Sequence, residues 1–221
     1  MAKIRNYEAE GIRVTYDAAR CIHAAECVSG LPKVFDAERR PWIDATAASP
    51  DELAAVVRRC PTGALAYERF DGGAQEESDP SNELLVISNG PVYACGNLVL
   101  LDADRRELSR ETRAAFCRCG ASLNKPFCDG RHAEAGFEDS GKLGVAKVRA
   151  TGEADPAELT VRIRADGPLV LEGQFRIEGA DGAAAEGAAG ALCRCGASKN
   201  KPFCDGTHRD IGFAAEDPTA G

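Results

Sequence analysis

The feature that most constrains this 221-residue chain is a sixteen-residue segment that occurs twice. The two copies read CRCGASLNKPFCDGRH at 117–132 and CRCGASKNKPFCDGTH at 193–208, and fourteen of the sixteen positions are identical. Related sequence flanks both segments, so residues 83–139 and 158–217 form two copies of one unit with a period of 76 residues. Because internal repeats mark a duplicated structural unit, the fold must build the same small element twice.

Each copy places three cysteines and one histidine at the spacing Cys-x-Cys-x8-Cys-x3-His. Three thiolates and one imidazole suit a four-coordinate site for a soft metal. Zinc sites usually use Cys-x2–4-Cys, whereas a cluster with two irons tolerates Cys-x-Cys, so the spacing favours iron–sulfur over zinc. A Cys–His nucleophile pair would leave two cysteines of each set without a role. The candidate ligands are Cys117, Cys119, Cys128, His132, Cys193, Cys195, Cys204 and His208.

The segment C-x-C-x2-S-x3-P-x-C-D-G-x-H resembles the signature of the CDGSH, or NEET, iron–sulfur family over about residues 83–217. It departs from that signature where Arg131 and Thr207 stand in place of serine. The resemblance implies a [2Fe–2S] cluster in each copy, held by the three cysteines and the histidine. It also implies a β-rich pairing of the two units about a twofold axis, here inside one chain, so that a monomer contains its own pseudo-dimer.

Four further residues of the motif are candidates for cofactor binding. We expect Ser122 and Ser198 to donate hydrogen bonds to cluster sulfur. We expect Asp129 and Asp205 to cap the helix that carries each histidine. Turn chemistry alone is the alternative for all four residues.

A different cysteine pattern occupies the first part of the chain. Residues 21–27 read CIHAAEC, and a Cys-Pro pair follows at 60–61. Bacterial ferredoxins place Cys-x2-Cys-x2-Cys before a distant Cys-Pro, but here the middle position is Ala24. Residues 9–70 resemble the divergent single-cluster ferredoxins, which include the small [3Fe–4S] proteins. The three candidate ligands are Cys21, Cys27 and Cys60.

The number of thiolates leaves the type of this cluster open. Three cysteines suit a [3Fe–4S] cluster, and a [4Fe–4S] cluster is the alternative if His23, Cys95 or solvent binds the fourth iron. Free cysteines are often buried in cores, so we expect Cys95 to be a buried strand residue instead of a ligand.

The pattern of elements predicts an α+β fold: a small ferredoxin-like N-terminal domain and then a mostly β tandem NEET-type unit with internal pseudo-twofold pairing. Alternating residues at 11–16 predict a strand, and a serine, proline and glutamate at 49–52 predict a helix start. Asn-Gly and Asp-Gly at 89–90 and 166–167 predict hairpins, and the Ala/Gly-rich stretch 179–190 predicts a flexible loop. The predicted divisions are a domain at 1–70, an acidic linker at 71–82, and CDGSH-type units at 83–139 and 140–221.

Composition excludes several function classes. The formal net charge is −8, which is opposite to the basic surface that nucleic-acid binding requires. No apolar run approaches the roughly 20 residues that cross a bilayer, and the N-terminus lacks the apolar run of a signal peptide. We therefore expect a cytoplasmic protein with no membrane and no nucleic-acid partner, in which ten reduced cysteines serve metals.

All three histidines and nine of the ten cysteines are assigned to metal sites, so we expect no enzymatic active site. Electron transfer is the function that three clusters of two types indicate. A carrier of clusters, or a redox or iron sensor with acid-labile clusters, is the alternative because a histidine ligand can be protonated. The expected partner is a redox protein, either a reductase or an acceptor, or an apo iron–sulfur protein that receives a cluster.

Overall fold

The computed structural model describes residues 4–149 and 157–215. The chain divides into two compact units, Met1–Glu77 and Ser78–Gly221. Strands dominate both units and the helices are few and short, so the chain is mostly β and the predicted α+β label overstates its helices. None of the helices in the described ranges is long and apolar enough to cross a membrane.

The first unit is a three-stranded antiparallel sheet with two short helices. The strand order is β1-β2-β3, and β2 is the predicted strand. The buried side chains include Val14 on β2, Leu53 on α2 and Leu65 on β3. The elements are β1 Ile4–Ala9, β2 Ile12–Asp17, α1 Glu26–Gly30, a 3-10 turn Ala45–Ala47, α2 Pro50–Val57 and β3 Leu65–Arg69.

Helix α2 begins where the sequence predicts it. The Ser49 hydroxyl accepts a hydrogen bond from the Glu52 N–H at 3.3 Å, and the Glu52 carboxylate accepts one from the Ser49 N–H at 2.9 Å. This capping box satisfies backbone donors that a helix start leaves unpaired. After the helix ends at Val57, the Cys60 N–H donates to the Val57 carbonyl at 3.0 Å and turns the chain at the cysteine.

The second unit is a six-stranded sheet built from the two repeats. Each repeat supplies one short strand and two long ones, and the long strands are joined as hairpins. The buried core lies along these strands and includes Leu98, Val161 and Ile177. The elements are β4 Glu83–Val86, β5 Val92–Leu101, β6 Glu107–Phe116, β7 Leu159–Ile163, β8 Leu169–Glu178, β9 Ala184–Leu192 and α3 Thr207–Asp210.

Each short strand pairs with both repeats. Strand β4 is antiparallel to β5 of its own repeat and parallel to β8 of the other. Strand β7 is antiparallel to β8 of its own repeat and parallel to β5 of the other. The cross-repeat registers use equivalent positions, with Glu83 opposite Arg176 and Thr160 opposite Val99. The repeats are therefore interleaved in one sheet.

The predicted hairpin turns lie between β4 and β5 and between β7 and β8. Asn89 and Asp166 both have positive φ, at 51° and 45°, which is the conformation that Asn and Asp tolerate better than other side chains. Each turn also receives the chain that follows a histidine ligand. The Asn89 side chain accepts from the Asp139 N–H at 2.8 Å, and the Asp166 side chain accepts from the Ala215 N–H at 2.9 Å.

The flexible loop predicted at 179–190 is wrong, because most of this stretch belongs to strand β9. A neighbouring segment explains its small residues. The Arg149 N–H donates to the Ala189 carbonyl at 2.9 Å, and a Cβ added at Gly187 would stand 2.7 Å from Cβ of Val148. Glycine and alanine therefore allow the segment at Val148 and Arg149 to lie close beside β9, a tertiary cause that composition does not show.

Both ends of the predicted linker, 71–82, are fixed to the unit they adjoin. The Gln75 and Glu76 side chains accept hydrogen bonds from backbone N–H groups of β3, at 2.9 Å and 3.1 Å. In the second unit, Asn82 is buried, donates to the Gln174 carbonyl at 3.0 Å and accepts from the Asn97 N–H at 3.0 Å.

Candidate metal centres

In each repeat the four predicted ligands lie together as two pairs. The Sγ atoms of Cys117 and Cys119 are 3.6 Å apart, and Cys128 Sγ is 3.4 Å from His132 Nδ1. No group of three or more His, Cys, Asp or Glu side chains within 4–149 and 157–215 is arranged to hold one metal ion. Two donor pairs suit a two-iron cluster better than a single four-coordinate ion. The second repeat has the same pairs at 3.7 Å and 3.4 Å, formed by Cys193 with Cys195 and Cys204 with His208.

The ends of β6 and β9 position these ligands. Cys117 follows β6 directly, and its N–H donates to the Pro126 carbonyl at 2.9 Å. The Cys128 N–H donates to the Ala115 carbonyl at 2.7 Å, which returns the loop to the strand that it left. The second repeat makes the same two bonds at 2.8 Å each, between Cys193 and Pro202 and between Cys204 and Ala191.

The buried serines hold the ligand loop closed. Ser122 Oγ donates to the Phe127 carbonyl at 2.7 Å and accepts from the Asn124 N–H at 3.0 Å. Ser198 makes the equivalent bonds at the same distances. In this structure the hydroxyl proton goes to a backbone carbonyl, as turn chemistry requires, and donation to cluster sulfur stays a prediction. The Ser122 backbone N–H, by contrast, donates to the Cys117 sulfur.

The two aspartates have the same geometry in both repeats, and each closes its ligand loop. The Asp129 carboxylate accepts from the Leu123 N–H at 2.9 Å and the Arg131 N–H at 3.2 Å. Asp205 accepts from the equivalent N–H groups at 2.8 Å and 3.0 Å, and these bonds hold its pKa below the usual range. The expected helix is present only after Asp205, as α3, because the chain after Asp129 forms turns. The N-cap of α3 is Gly206, which makes no side-chain cap hydrogen bond, so the predicted helix cap is wrong for both aspartates. Both instead close the ligand loop.

Two buried arginines between the ligands were missed by the sequence analysis. The Arg118 side chain is 1% exposed, donates to the Gly90 and Ile87 carbonyls, and pairs with Asp139. Arg194 makes the corresponding bonds to carbonyls of the second hairpin, at 2.9 Å and 2.6 Å. Each arginine therefore anchors its Cys-Arg-Cys loop to a hairpin turn. An arginine stands between two cysteine ligands in both copies, and this repetition was the sequence signal that could have identified it.

The N-terminal cysteines share one cavity of about 570 Å³ in the first unit. Cys21, Cys27 and Cys60 all line it, and so do His23 and the apolar or aromatic side chains around them. Burial raises the pKa of the Cys27 thiol, and the neighbouring cysteines add to the shift. The cavity therefore brings together all three predicted ligands of the N-terminal cluster.

Family models match both parts of the chain. The model described as "Divergent 4Fe-4S mono-cluster" matches residues 7–69, and the model described as "Iron-binding zinc finger CDGSH type" matches 89–133 and 166–209. The chain therefore contains two tandem CDGSH-type domains behind a divergent 4Fe-4S mono-cluster domain.

Two curated relatives match a part of the chain that is 63 residues long. The Uncharacterized protein YjdI of Escherichia coli strain K12 is 38% identical over 63 residues, which are 28% of this chain and 83% of the relative. The protein of the same name from Escherichia coli O157:H7 matches to the same extent. No solved structure matches the chain.

The electrostatics of the CDGSH ligands follow from burial and from their mutual contacts. Burial raises the pKa of the Cys128 thiol to about 11, whereas the hydrogen bond from Cys117 lowers the pKa of Cys119 to about 6. Burial also lowers the pKa of His132; the Asp129 carboxylate opposes this shift and the Arg118 guanidinium adds to it. The net shift favours the neutral imidazole, which is the form that binds metal.

The two CDGSH loops touch each other. Gly120 and Gly196 both have φ of +82°, and a Cβ on Gly120 would overlap the carbonyl oxygen of Cys195. A Cβ on Gly196 would overlap the carbonyl oxygen of Cys119 in the same way. Only glycine satisfies both the left-handed backbone and this close approach. The backbone of one ligand loop therefore supports the other.

Aromatic residues beyond the histidines add a second cross-repeat contact. The Phe137 ring has Arg118 at 5.1 Å from its own repeat and Lys201 at 5.9 Å from the other. Phe213 has Arg194 and Lys125 at 5.6 Å and 6.0 Å in the same arrangement. Cations at these distances from a ring centroid are attracted by its face.

Cys95 lies outside every ligand set. It is half-buried on β5, and burial together with the Asp79 carboxylate raises the pKa of its thiol. The prediction of a strand cysteine is confirmed in its position, although the side chain is only partly covered.

Proposed function

We propose that this CDGSH-type protein transfers electrons through iron–sulfur clusters. A [2Fe–2S] cluster would occupy each repeat, and a ferredoxin-type cluster of three or four irons would occupy the N-terminal cavity. The observation that carries the proposal is the repeated arrangement of a Cys–Cys pair beside a Cys–His pair, at 3.6 Å and 3.4 Å in the first repeat. The N-terminal ligands would be Cys21, Cys27 and Cys60, which line one cavity.

The donor set suits reversible one-electron chemistry. A neutral imidazole in place of one thiolate removes a negative charge from the cluster and raises its reduction potential above that of an all-cysteine plant-type site. Nearby protein side chains also affect this reduction potential. Arg118 and Arg194 are buried beside the two sites, and at the first site the ion pair with Asp139 offsets the positive charge that would otherwise favour the reduced, more negative cluster.

We further propose that the two repeats form an internal pseudo-dimer about an approximate twofold axis in a monomeric protein. Strands β4 and β7 support this arrangement, because each pairs with its own repeat and with the other at equivalent positions. The reciprocal approach of Gly120 to Cys195 and of Gly196 to Cys119 supports it as well.

We propose a redox protein as the partner, with a basic docking face on a reductase or an acceptor. The formal net charge of −8 favours that complementarity and disfavours nucleic acid. We also propose that the chain has no enzymatic active site of its own, since its histidines and nine of its cysteines serve the clusters.

A cluster carrier, or a redox or iron sensor, is the second candidate function. The side chains of His132 and His208 are only half-buried, so protons from solvent reach a ligand of each cluster. Protonation of imidazole competes with metal binding and would release the cluster. His132→Cys and His208→Cys should therefore give clusters that survive acid better and have lower potentials. An acid-stability assay in which neither variant differs from wild type would refute this lability.

The first experiment is an EPR spectrum of the isolated and the dithionite-reduced protein, with iron and zinc analysis. Iron without zinc, and reduced two-iron signals, would support the assignment of the repeats. Cys128→Ser and Cys204→Ser should each remove one such signal. Cys95→Ser is the matched control, because this cysteine lies outside the ligand sets, and it should leave both signals unchanged.

A second experiment separates the two candidate functions. The holoprotein is incubated with an apo-ferredoxin, and its reduction by a ferredoxin reductase is measured in parallel. Turnover with intact clusters supports electron transfer, whereas movement of the cluster without turnover supports the carrier and contradicts the first proposal.

A further inference from the structure

We propose that His23 is the fourth protein ligand of the N-terminal cluster, which makes it a four-iron cluster with three thiolates and one imidazole. This inference rests on the proposed function, because it assumes a cluster bound to Cys21, Cys27 and Cys60. It goes further by naming the residue that completes the site. The first observation is that the His23 imidazole and these three thiols line the same cavity.

The middle position of the Cys-x2-Cys-x2-Cys pattern offers no side-chain atom that can bind iron. Residues 21–27 retain the outer cysteines of Cys-x2-Cys-x2-Cys, but Ala24 stands in the middle. The segment still wraps the cavity, since every residue from 21 to 28 lines it. A donor next to Ala24 can therefore take the place of the missing thiolate.

The backbone at His23 is held in an unusual conformation. His23 and Ala25 have φ of 58° and 64°, in the left-handed region that non-glycine residues seldom adopt. Such conformations cost free energy and cluster at functional sites. Among residues 4–149 and 157–215, no hydrogen bond or ion pair engages the exposed His23 imidazole. Its side chain thus has no structural partner there that would explain its placement at the cavity.

The other donors of the cavity are already engaged. The Glu26 carboxylate pairs with Arg59 at 2.8 Å. The Thr62 hydroxyl lies 3.5 Å from Cys60 Sγ and accepts from the Ala64 N–H at 3.1 Å. The Tyr16 hydroxyl is hydrogen-bonded to the Cys21 thiol, and burial holds its pKa above the usual range.

The remaining polar lining cannot bind iron. Arg5 and Arg40 line the cavity, but a guanidinium is a permanent cation with no acceptor. Imidazole nitrogen is an established iron ligand in histidine-ligated clusters. Among the side chains that line the cavity, His23 is therefore the donor that remains available to bind the fourth iron.

The test compares wild type with His23→Ala, both as full-length holoprotein prepared anaerobically with excess iron. An oxidised three-iron cluster is paramagnetic, whereas oxidised two-iron and four-iron clusters are diamagnetic. Wild type should therefore be EPR-silent and contain about eight irons, two for each repeat and four for the N-terminal site. His23→Ala should lose about one iron and show about one spin per chain from a three-iron cluster.

Two further variants serve as a rescue and a control. His23→Cys supplies a thiolate at the same place and should restore the silent, iron-replete state with a lower potential than wild type. Glu26→Gln removes the competing oxygen donor of the cavity and should behave as wild type.

The outcomes distinguish this inference from the proposed function. Wild type with a full three-iron signal, or His23→Ala that stays silent and iron-replete, would overturn the role of His23 and leave the N-terminal cluster in place. Wild type with only the irons of the two repeats would remove the N-terminal cluster itself, and this inference with it.

Discussion

Gly196→Ala tests whether the two ligand loops depend on each other. Gly196 has φ of +82°, and a Cβ there would overlap the carbonyl oxygen of Cys119 in the other repeat. The left-handed backbone costs a non-glycine residue about 1–2 kcal/mol. Overpacking against backbone adds about 1–3 kcal/mol. We therefore expect Gly196→Ala to lower the free energy of unfolding by about 2–5 kcal/mol.

Gly212→Ala is the matched control. Gly212 lies in the same repeat with φ of +61°, and a Cβ there meets no atom within 4 Å. This variant has the conformational cost without the overlap, so about 1–2 kcal/mol is expected. Urea unfolding of the holoprotein, followed by the visible absorption of the clusters, measures both variants.

The cross-repeat effect can be isolated in a Cys204→Ser background, which lacks a ligand of the second repeat. The reduced two-iron EPR signal then comes from the first repeat. Gly196→Ala should weaken that signal, because it displaces the Cys119 peptide, whereas Gly212→Ala should leave it unchanged. Equal stability and equal signals in the two variants would refute the contact between the loops.

Three other predictions follow from the hydrogen bonds and charges. Ser198→Ala should lower the free energy of unfolding in urea by about 1–3 kcal/mol, because it leaves a buried backbone group unpaired. A shifted cluster potential with unchanged stability would instead indicate that the hydroxyl donates to cluster sulfur. Burial lowers the pKa of His132, so the folded apoprotein binds fewer protons than the unfolded chain and loses stability as the pH falls below about 6.5. His132→Gln should flatten that slope, and an unchanged slope would exclude this histidine as its source. The hydrogen bond from Arg69 holds the pKa of Asp71 at about 2, so its stabilisation is present above about pH 4 and is lost as the pH falls towards 2. Acid titration of Asp71→Asn should lack this loss, and a wild-type titration curve would contradict the pairing.

Most of the candidate metal ligands lie close together in sequence and could be predicted from it. Metal ligands must be particular residue types at short spacings, so a repeated Cys-x-Cys-x8-Cys-x3-His is visible without any structure. Turns and helix caps are similarly local, and the predictions at Asn89, Asp166 and Ser49 agree with the structure. The roles of Ser122 and Ser198 were harder to predict, because a hydroxyl can donate to a sulfur or to a carbonyl.

The sequence by itself determined that the chain contains two equivalent ligand sets and a third, different one. Only the tertiary structure decided that the repeats are interleaved, with β4 and β7 each pairing across the repeat boundary. It also showed that β9 is a strand and that Gly120 and Gly196 lie against the opposite ligand loop. The physical reason is that ligand chemistry is carried by side chains close in sequence, whereas strand pairing and close backbone approach depend on partners far along the chain.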